Sequence, residues 1–312
     1  MQLTVLAGGV GAARFLDGLV RVVPPESVTV VGNVADDFEH LGLHVSPDLD
    51  TILYTLAGVV HETQGWGRAD ETANALDTVR TLGGPDWFFL GDRDVGLHLV
   101  RTERLRAGEP LSAITRELCA RFGLSIRLLP VTDDRLRTMV ETDAGKLDFQ
   151  TYFVRRRHED EVCGVRYEGA DSARPAPGVL EALHDAGAVL VAPSNPFLSI
   201  EPILAVPGVR EVLGGRTGPV VAVSPIVAGR AIKGPADRML RSLAGEASAR
   251  AVAERYADFL THMLVDSADA ALVPAIEALG LRVAAAPTIM TGVPERVAVA
   301  RETLRLADML KR

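Results

Sequence analysis

The chain has 312 residues, 47% of them apolar and 24% charged, with 41 Asp+Glu against 33 Lys+Arg and a formal net charge of −8. That length and apolar content support a large buried core in one big domain or two smaller ones, and they exclude disordered and fibrous classes. The acidic balance argues against a nucleic-acid or membrane-surface binder, which carries a basic excess.

The two cysteines, Cys119 and Cys163, match no metal or redox spacing and supply no disulfide framework, so a reducing, cytoplasmic home is expected. The first apolar run, Leu3 to Ala7, is too short for a signal segment, and no run reaches the roughly 18 apolar residues of a membrane span. A soluble, unprocessed chain is expected.

In chain order, short apolar runs alternate with stretches of helical period. The predicted strands of a buried sheet are Leu3–Ala7, Val28–Gly32, Trp87–Leu90, Ile126–Pro130, Val189–Ala192 and Val220–Ser224. Helices are predicted over Ala12–Val22, Asp50–Ala57, Leu111–Phe122, Pro177–Ala186, Glu246–Asp258 and Pro294–Leu310. This alternation defines an α/β fold, doubly wound around a mostly parallel, Rossmann-like sheet. Between Arg137 and Tyr167 the pattern breaks. Met139–Thr142 and Leu147–Val154 flank the turn Asp143-Ala-Gly-Lys146, and Val162–Tyr167 follows as a further strand. The expectation is a single α/β domain over 1–312 with an inserted antiparallel segment near 132–168.

Leu3-Thr-Val-Leu-Ala-Gly-Gly-Val-Gly-Ala-Ala-Arg14 is a strand, a glycine turn and a helix start. Gly8, Gly9 and Gly11 let backbone N–H groups approach an anion, and the following helix N-terminus favours phosphate. A tight turn without ligand is the competing reading. The spacing is neither G-x-G-x-x-G nor a P-loop, because no Lys-Ser/Thr pair follows Gly11.

The second strand ends in Asn33, Asp36 and Asp37, and Asp48 and Asp50 open the next helix. In a doubly wound sheet these acids share an edge with the glycine turn. Asp48 alone suits a helix cap, whereas the cluster suits Mg²⁺ or a base orienting a hydroxyl. Trp87-Phe-Phe-Leu90 runs into Gly91-Asp-Arg-Asp94, which puts Asp92 and Arg93 beside a ligand or in a loop-closing ion pair. Pro193-Ser-Asn-Pro196 ends another strand and offers Ser194 and Asn195 for anion or base recognition. Lys233, before Gly234-Pro235, is either a phosphate contact or a surface lysine. Arg155-Arg-Arg157 is expected on a strand, with alternating faces. His61, His98, His158 and His262 form no metal spacing and are expected to be structural.

These segments, colinear from Gly8 to Asp237, resemble the 2-phospho-L-lactate transferase family of coenzyme F420 biosynthesis, CofD in archaea and FbiA in actinobacteria. The resemblance implies a Mg²⁺-dependent, homodimeric transferase. It would move a phospholactyl or phosphoenolpyruvyl group from a guanosine diphosphate-linked donor to the ribityl hydroxyl of 7,8-didemethyl-8-hydroxy-5-deazariboflavin, called Fo, releasing GMP. It further implies Asp50 and Arg93 on the Fo side, Asp50 and Asp37 as catalytic and metal groups, and Gly8, Gly9, Gly11, Asn33, Ser194, Asn195 and Lys233 along the nucleotide. Val10 and Ala12 depart from relatives that carry Thr in the turn, leaving phosphate binding to the backbone. The alternatives are a nucleotide-sugar-binding regulator of the related gluconeogenesis-factor group and, more distantly, an ordinary Rossmann oxidoreductase.

Overall fold

The computed structural model describes residues 2–310. In chain order the strands are β1 (Leu3–Ala7), β2 (Val28–Gly32), β3 (Phe38–His40), β4 (Leu43–Val45), β5 (Arg127–Pro130), β6 (Arg137–Thr142) and β7 (Gly145–Asp148). Then follow β8 (Val162–Glu168), β9 (Ala188–Val191), β10 (Val220–Val223), β11 (Ile226–Val227), β12 (Arg230–Ala231), β13 (His262–Asp266) and β14 (Arg282–Ala286). Seven of them form one parallel sheet in the order β14-β13-β10-β9-β1-β2-β5. β1, β2, β9 and β10 are buried along their whole lengths. Helices cover both faces of such a sheet, which is why these strands read as unbroken apolar runs. The doubly wound α/β class expected from the sequence is the class observed.

The chain runs from β1 outward through β2 to β5, then returns to β9 and continues outward on the other side through β10, β13 and β14. The order therefore reverses between β1 and β9, whose register places Leu3 opposite Ala188. A crevice opens at the carboxyl ends of strands at such a reversal. Helix α1 (Gly9–Leu19) leaves β1 directly and packs against α2 (Pro47–Leu56) and the C-terminal helix Val293–Leu306. Between β5 and β9, β7-β6-β8 form a separate antiparallel sheet.

Four expectations need correction. Trp87–Leu90 is not a strand: it pairs with nothing, and Phe89 is 44% exposed. The Trp87 and Phe88 rings instead pack on Phe38, at centroid distances of 6.2 and 4.8 Å. Four apolar residues make a site wall as readily as a strand. The second hairpin strand stops at Asp148, whose carboxylate accepts from the Thr151 N–H and hydroxyl at 3.0 and 2.7 Å. That capping starts a helical turn over Thr151–Arg155, so the three arginines do not lie on a strand. Helix α2 begins at Pro47, ahead of the expected Asp50, with proline at a position that needs no N–H donor. Finally, β13 and β14 escaped prediction: Arg282-Val-Ala-Ala-Ala286 is alanine-rich and lacks strand chemistry.

Candidate active site

At the β1/β9 reversal lies a cavity of about 680 Å³. Gly8, Gly9 and Gly11 line one wall, and Pro193, Ser194 and Asn195 from the end of β9 stand beside them. Two of the glycines are dictated by space. A Cβ on Gly8 would sit 2.6 Å from the Asp48 carboxylate, and one on Gly11 would overlap the Pro193 carbonyl oxygen. Asn195 is a cap: its side-chain oxygen accepts from the Phe197 and Leu198 N–H groups at 2.9 and 3.3 Å. Ser194 lines the cavity, and its hydroxyl is buried without a hydrogen-bond partner among the described residues.

The acids divide into three groups by partner. Asp48 and Asp36 form the first, tied together by Asn33. The Asn33 amide donates to Asp48 Oδ2 at 2.9 Å, to Asp36 Oδ2 at 3.2 Å and to the Leu198 carbonyl at 3.1 Å. Asp48 Oδ1 accepts from the Gly9 N–H at 2.9 Å, joining the acids to the glycine turn. Burial pushes the Asp48 carboxyl up to about 7. Burial, and then the Asp48 charge, raises Asp36 well above the usual carboxylate range. Asp36 Oδ1 is buried and unpartnered.

Asp50 and Arg101 form the second group. Arg101, 1% exposed, donates to Asp50 Oδ2 at 2.9 Å and also holds Asp50 Oδ1. Burial works against the arginine's charge, but the Asp50 carboxylate outweighs it and raises the guanidinium's pKa. His98 Nδ1 lies 3.3 Å from the same guanidinium. Burial lowers His98 to about 4, so its ring is neutral and accepts from arginine. Asp94 is the third. Burial raises it to about 6, the Asp50 charge adding to the shift. Asp94 Oδ1 and the Tyr54 hydroxyl are both buried without a hydrogen-bond partner.

Asp50, Ser194, Asn195, Lys233 and the three glycines thus all line the cavity, while Asn33, Asp37, Asp92 and Arg93 do not. Asn33 is fully buried and acts through Asp36 and Asp48. Asp37 Oδ2 is taken by the Ser46 hydroxyl at 2.7 Å and His44 at 3.1 Å, behind the wall. Arg93 is exposed in the first turn of a helix over Asp92–Arg106, and its side chain donates to the Ala69 carbonyl at 3.3 Å. Asp92 caps the start of the Asn74–Thr81 helix, accepting from the Asn74 and Ala75 N–H groups at 3.1 and 2.9 Å. The Gly-Asp-Arg segment is here a reciprocal cap, because Glu71 in turn accepts from the Arg93 and Asp94 N–H groups.

Sequence reasoning passed over Asp94, His98 and Arg101, and it took His98 as structural. Their signal was present: spacings of four and three put all three on one face of a helix. Arg14 was read only as part of the glycine motif, yet it lines the cavity.

A bound divalent cation can be tested against these residues. Among the described residues, no three His, Cys, Asp or Glu side chains are grouped to hold a metal. Mg²⁺, however, is commonly held by one or two carboxylates together with substrate phosphates and water. Two adjoining buried acids with raised pKa values and an orphaned oxygen on Asp36 fit that arrangement. Asp50, both of whose oxygens are occupied by Arg101, fits it less well.

Fold and site together define an α/β protein with a largely apolar ligand cavity, edged by the glycine turn and buried acids, at the switch point of its sheet. A family model described as 2-phospho-L-lactate transferase CofD matches residues 3–279, and the chain belongs to that transferase family of coenzyme F420 biosynthesis. A phosphoenolpyruvate transferase from Streptomyces griseus is 47% identical, with 100% of each chain covered. One from Thermobifida fusca is 47% identical, covering 100% of this chain and 99% of the relative. One from Mycolicibacterium smegmatis is 41% identical over 99% of each. Among solved structures, a member of the UPF0052 family from Bacillus halodurans superposes with a TM-score of 0.67 at 17% identity, covering 97% of this chain and 98% of that one. It shares the fold. No described helix is long and apolar enough to cross a membrane.

Proposed function

We propose that this chain transfers a phosphoenolpyruvyl group from a guanosine diphosphate-linked donor to the ribityl hydroxyl of Fo, releasing GMP. The observation that carries this reading is the junction of the glycine turn with the Asp36–Asp48 pair through the Gly9 N–H. A diphosphate set on that turn meets backbone donors and the N-terminus of α1 on one side. On the other side it meets two acids suited to a countercation. The full-length likeness to phosphoenolpyruvate transferases supports the enolpyruvyl form and favours transfer over the regulator reading.

In the reaction the ribityl oxygen bonds to the phosphorus that carries the three-carbon acid. The bond from that phosphorus to the bridging oxygen breaks, GMP leaves with the bonding electrons, and the hydroxyl proton passes to a base. Asp36 and Asp48 would hold Mg²⁺, which when bound neutralises the diphosphate and stabilises charge developing on the leaving phosphate. Gly8, Gly9 and Gly11 orient the diphosphate through their backbone, and Ser194 lines the cavity beside them on the nucleotide side. Asp94, raised to about 6 and with Oδ1 unpartnered, is a group able to accept the hydroxyl proton near neutral pH. Asp50, its charge met by Arg101, supplies a fixed polar wall on the Fo side. No covalent enzyme intermediate is needed, because positioning and charge stabilisation suffice for phosphoryl transfer.

The test is incubation with Fo, Mg²⁺ and each guanylylated donor, followed by product mass. GMP release coupled to Fo consumption and the mass of the enolpyruvyl product are expected. Tight nucleotide binding without turnover would point to the regulator instead.

A further inference from the structure

Two cations at the cavity wall have no anionic partner among the described residues. Arg14 lies one helical turn beyond Val10 on α1, and side chains on a helix sweep back toward its N-terminus, so its guanidinium reaches toward the glycine turn. Among the described residues its side chain donates only to the Met290 carbonyl, at 3.3 Å. Lys233, from the loop after β12, donates to the Gln64 carbonyl at 2.7 Å. The two converge on one point: a Cβ on Gly65 would lie 3.5 Å from the Lys233 ammonium and 3.7 Å from the Arg14 guanidinium. Gly65 has a φ of +74° and presses against Val10 of the turn, where a Cβ would come within 2.8 Å. Neither cation makes an ion pair among the described residues. Burial, followed by another nearby cation, lowers the pKa of both, Arg296 acting on Arg14 and Arg14 acting on Lys233. Arg296 itself is paired with Asp17. Like charges held together beside a cavity, satisfied only by carbonyls, mark a place for an anion.

Which anion follows from what the rest of the site takes up. The diphosphate of the proposed donor is matched by the glycine turn, the helix N-terminus and the acid pair. Arg14 and Lys233 lie on the other flank of the turn, toward Val10 and Gly65, with no carboxylate against them. The donor's remaining anionic group, absent from a plain nucleoside diphosphate, is the carboxylate of its three-carbon acid. A guanidinium takes a carboxylate through two parallel N–H donors, and an ammonium adds a third.

We propose that Arg14 and Lys233 are specificity-determining residues that grip the carboxylate of the acid carried by the donor. This rests on the transferase reading above. Lys233 thereby acts at the acid end of the donor and not along its guanosine, and the 61–67 segment is drawn over the cavity by the same lysine.

The test is titration calorimetry with Mg²⁺ and no Fo, comparing GDP with enolpyruvyl-diphosphoguanosine on the wild type, Arg14→Gln and Lys233→Gln. Loss of a charge-assisted contact predicts about tenfold weaker donor binding in Arg14→Gln and severalfold in Lys233→Gln, with GDP affinity held within about twofold. Arg14→Lys should recover part of the loss, and unchanged melting temperatures check that the variants fold. Parallel losses for GDP and donor would assign the pair to the diphosphate and overturn the inference. So would unchanged binding of both. A wild type that binds neither ligand would overturn the transferase reading, and the inference with it, whereas a binding wild type with non-selective variants sinks the inference alone.

Discussion

Replacing Asp48 by Asn tests the acid pair at the centre of the site. In the folded protein burial holds Asp48 up at about 7, against 3.8 for the free group. The folded pKa exceeds the unfolded one, so the fold favours the protonated form. Its contribution to stability is therefore best below about pH 4 and is lost as pH rises through about 7. Between pH 5 and pH 7 the loss accrues at about 1.4 kcal/mol per unit, or about 3 kcal/mol in all, and it then levels off. Unfolding entropy of about 2 cal/mol/K per residue makes this about 4–5 °C in melting temperature for a chain of 312 residues. In Asp48→Asn the new side-chain oxygen can still accept from the Gly9 N–H, but the new amide meets that of Asn33, a fixed cost of about 1–3 kcal/mol at every pH. Thermal unfolding of the chelator-treated protein at pH 5 and pH 8 separates the two effects. The wild type should lose several degrees more than the variant over that interval, and Mg²⁺ with GDP should restore the wild type selectively at pH 8. Equal pH dependence in both proteins would refute the burial of an ionisable pair at this position.

The buried Asp50–Arg101 pair should cost about 3–5 kcal/mol when broken by Asp50→Asn, along with turnover, because a guanidinium is left uncompensated in the interior; a wild-type melting temperature would contradict this. Arg93→Ala should change KM for Fo and for the donor to the same small extent, since Arg93 bonds a loop carbonyl; a rise confined to Fo would place it at the acceptor after all. His98, lowered to about 4, favours the fold in its neutral form, so its contribution is intact above about pH 6.5 and falls away toward pH 4. Its ring proton resonances should hold still between pH 5.5 and 8, and titration near 6.5 would show it to be solvated. Gly11→Ala should lower the melting temperature by several degrees and weaken GDP binding together, because the Cβ drives the glycine turn away from Pro193; an unaltered protein would mean the turn has room to spare.

Most of the central sheet was legible because a strand buried on both faces must be apolar throughout, and β1, β2, β9 and β10 are. Trp87–Leu90 satisfied the same rule without being a strand, since an apolar cavity wall and a buried strand present the same composition. β13 and β14 failed it in the other direction, one bounded by His262 and Asp266, the other largely alanine. The glycine turn and the acids after β2 were likewise visible, because their chemistry is local: close backbone approach needs glycine, and acids that follow a strand in sequence sit at its carboxyl end.

What the sequence determined by itself was thus the doubly wound class, the strand-turn-helix with its glycines, and the acids that follow β2, but not Asp94. Which acid is free was decided only by tertiary contacts. Asp50 is neutralised by Arg101, 51 residues further along the chain. Asp37 is turned away by Ser46 and His44, Asp48 is drawn to Gly9, and Asp94 reaches the cavity from another helix. The physical reason is that a carboxylate's role depends on burial and on the partner of each oxygen. Both are set by segments distant in the chain that the β1/β9 reversal brings to one edge of the sheet.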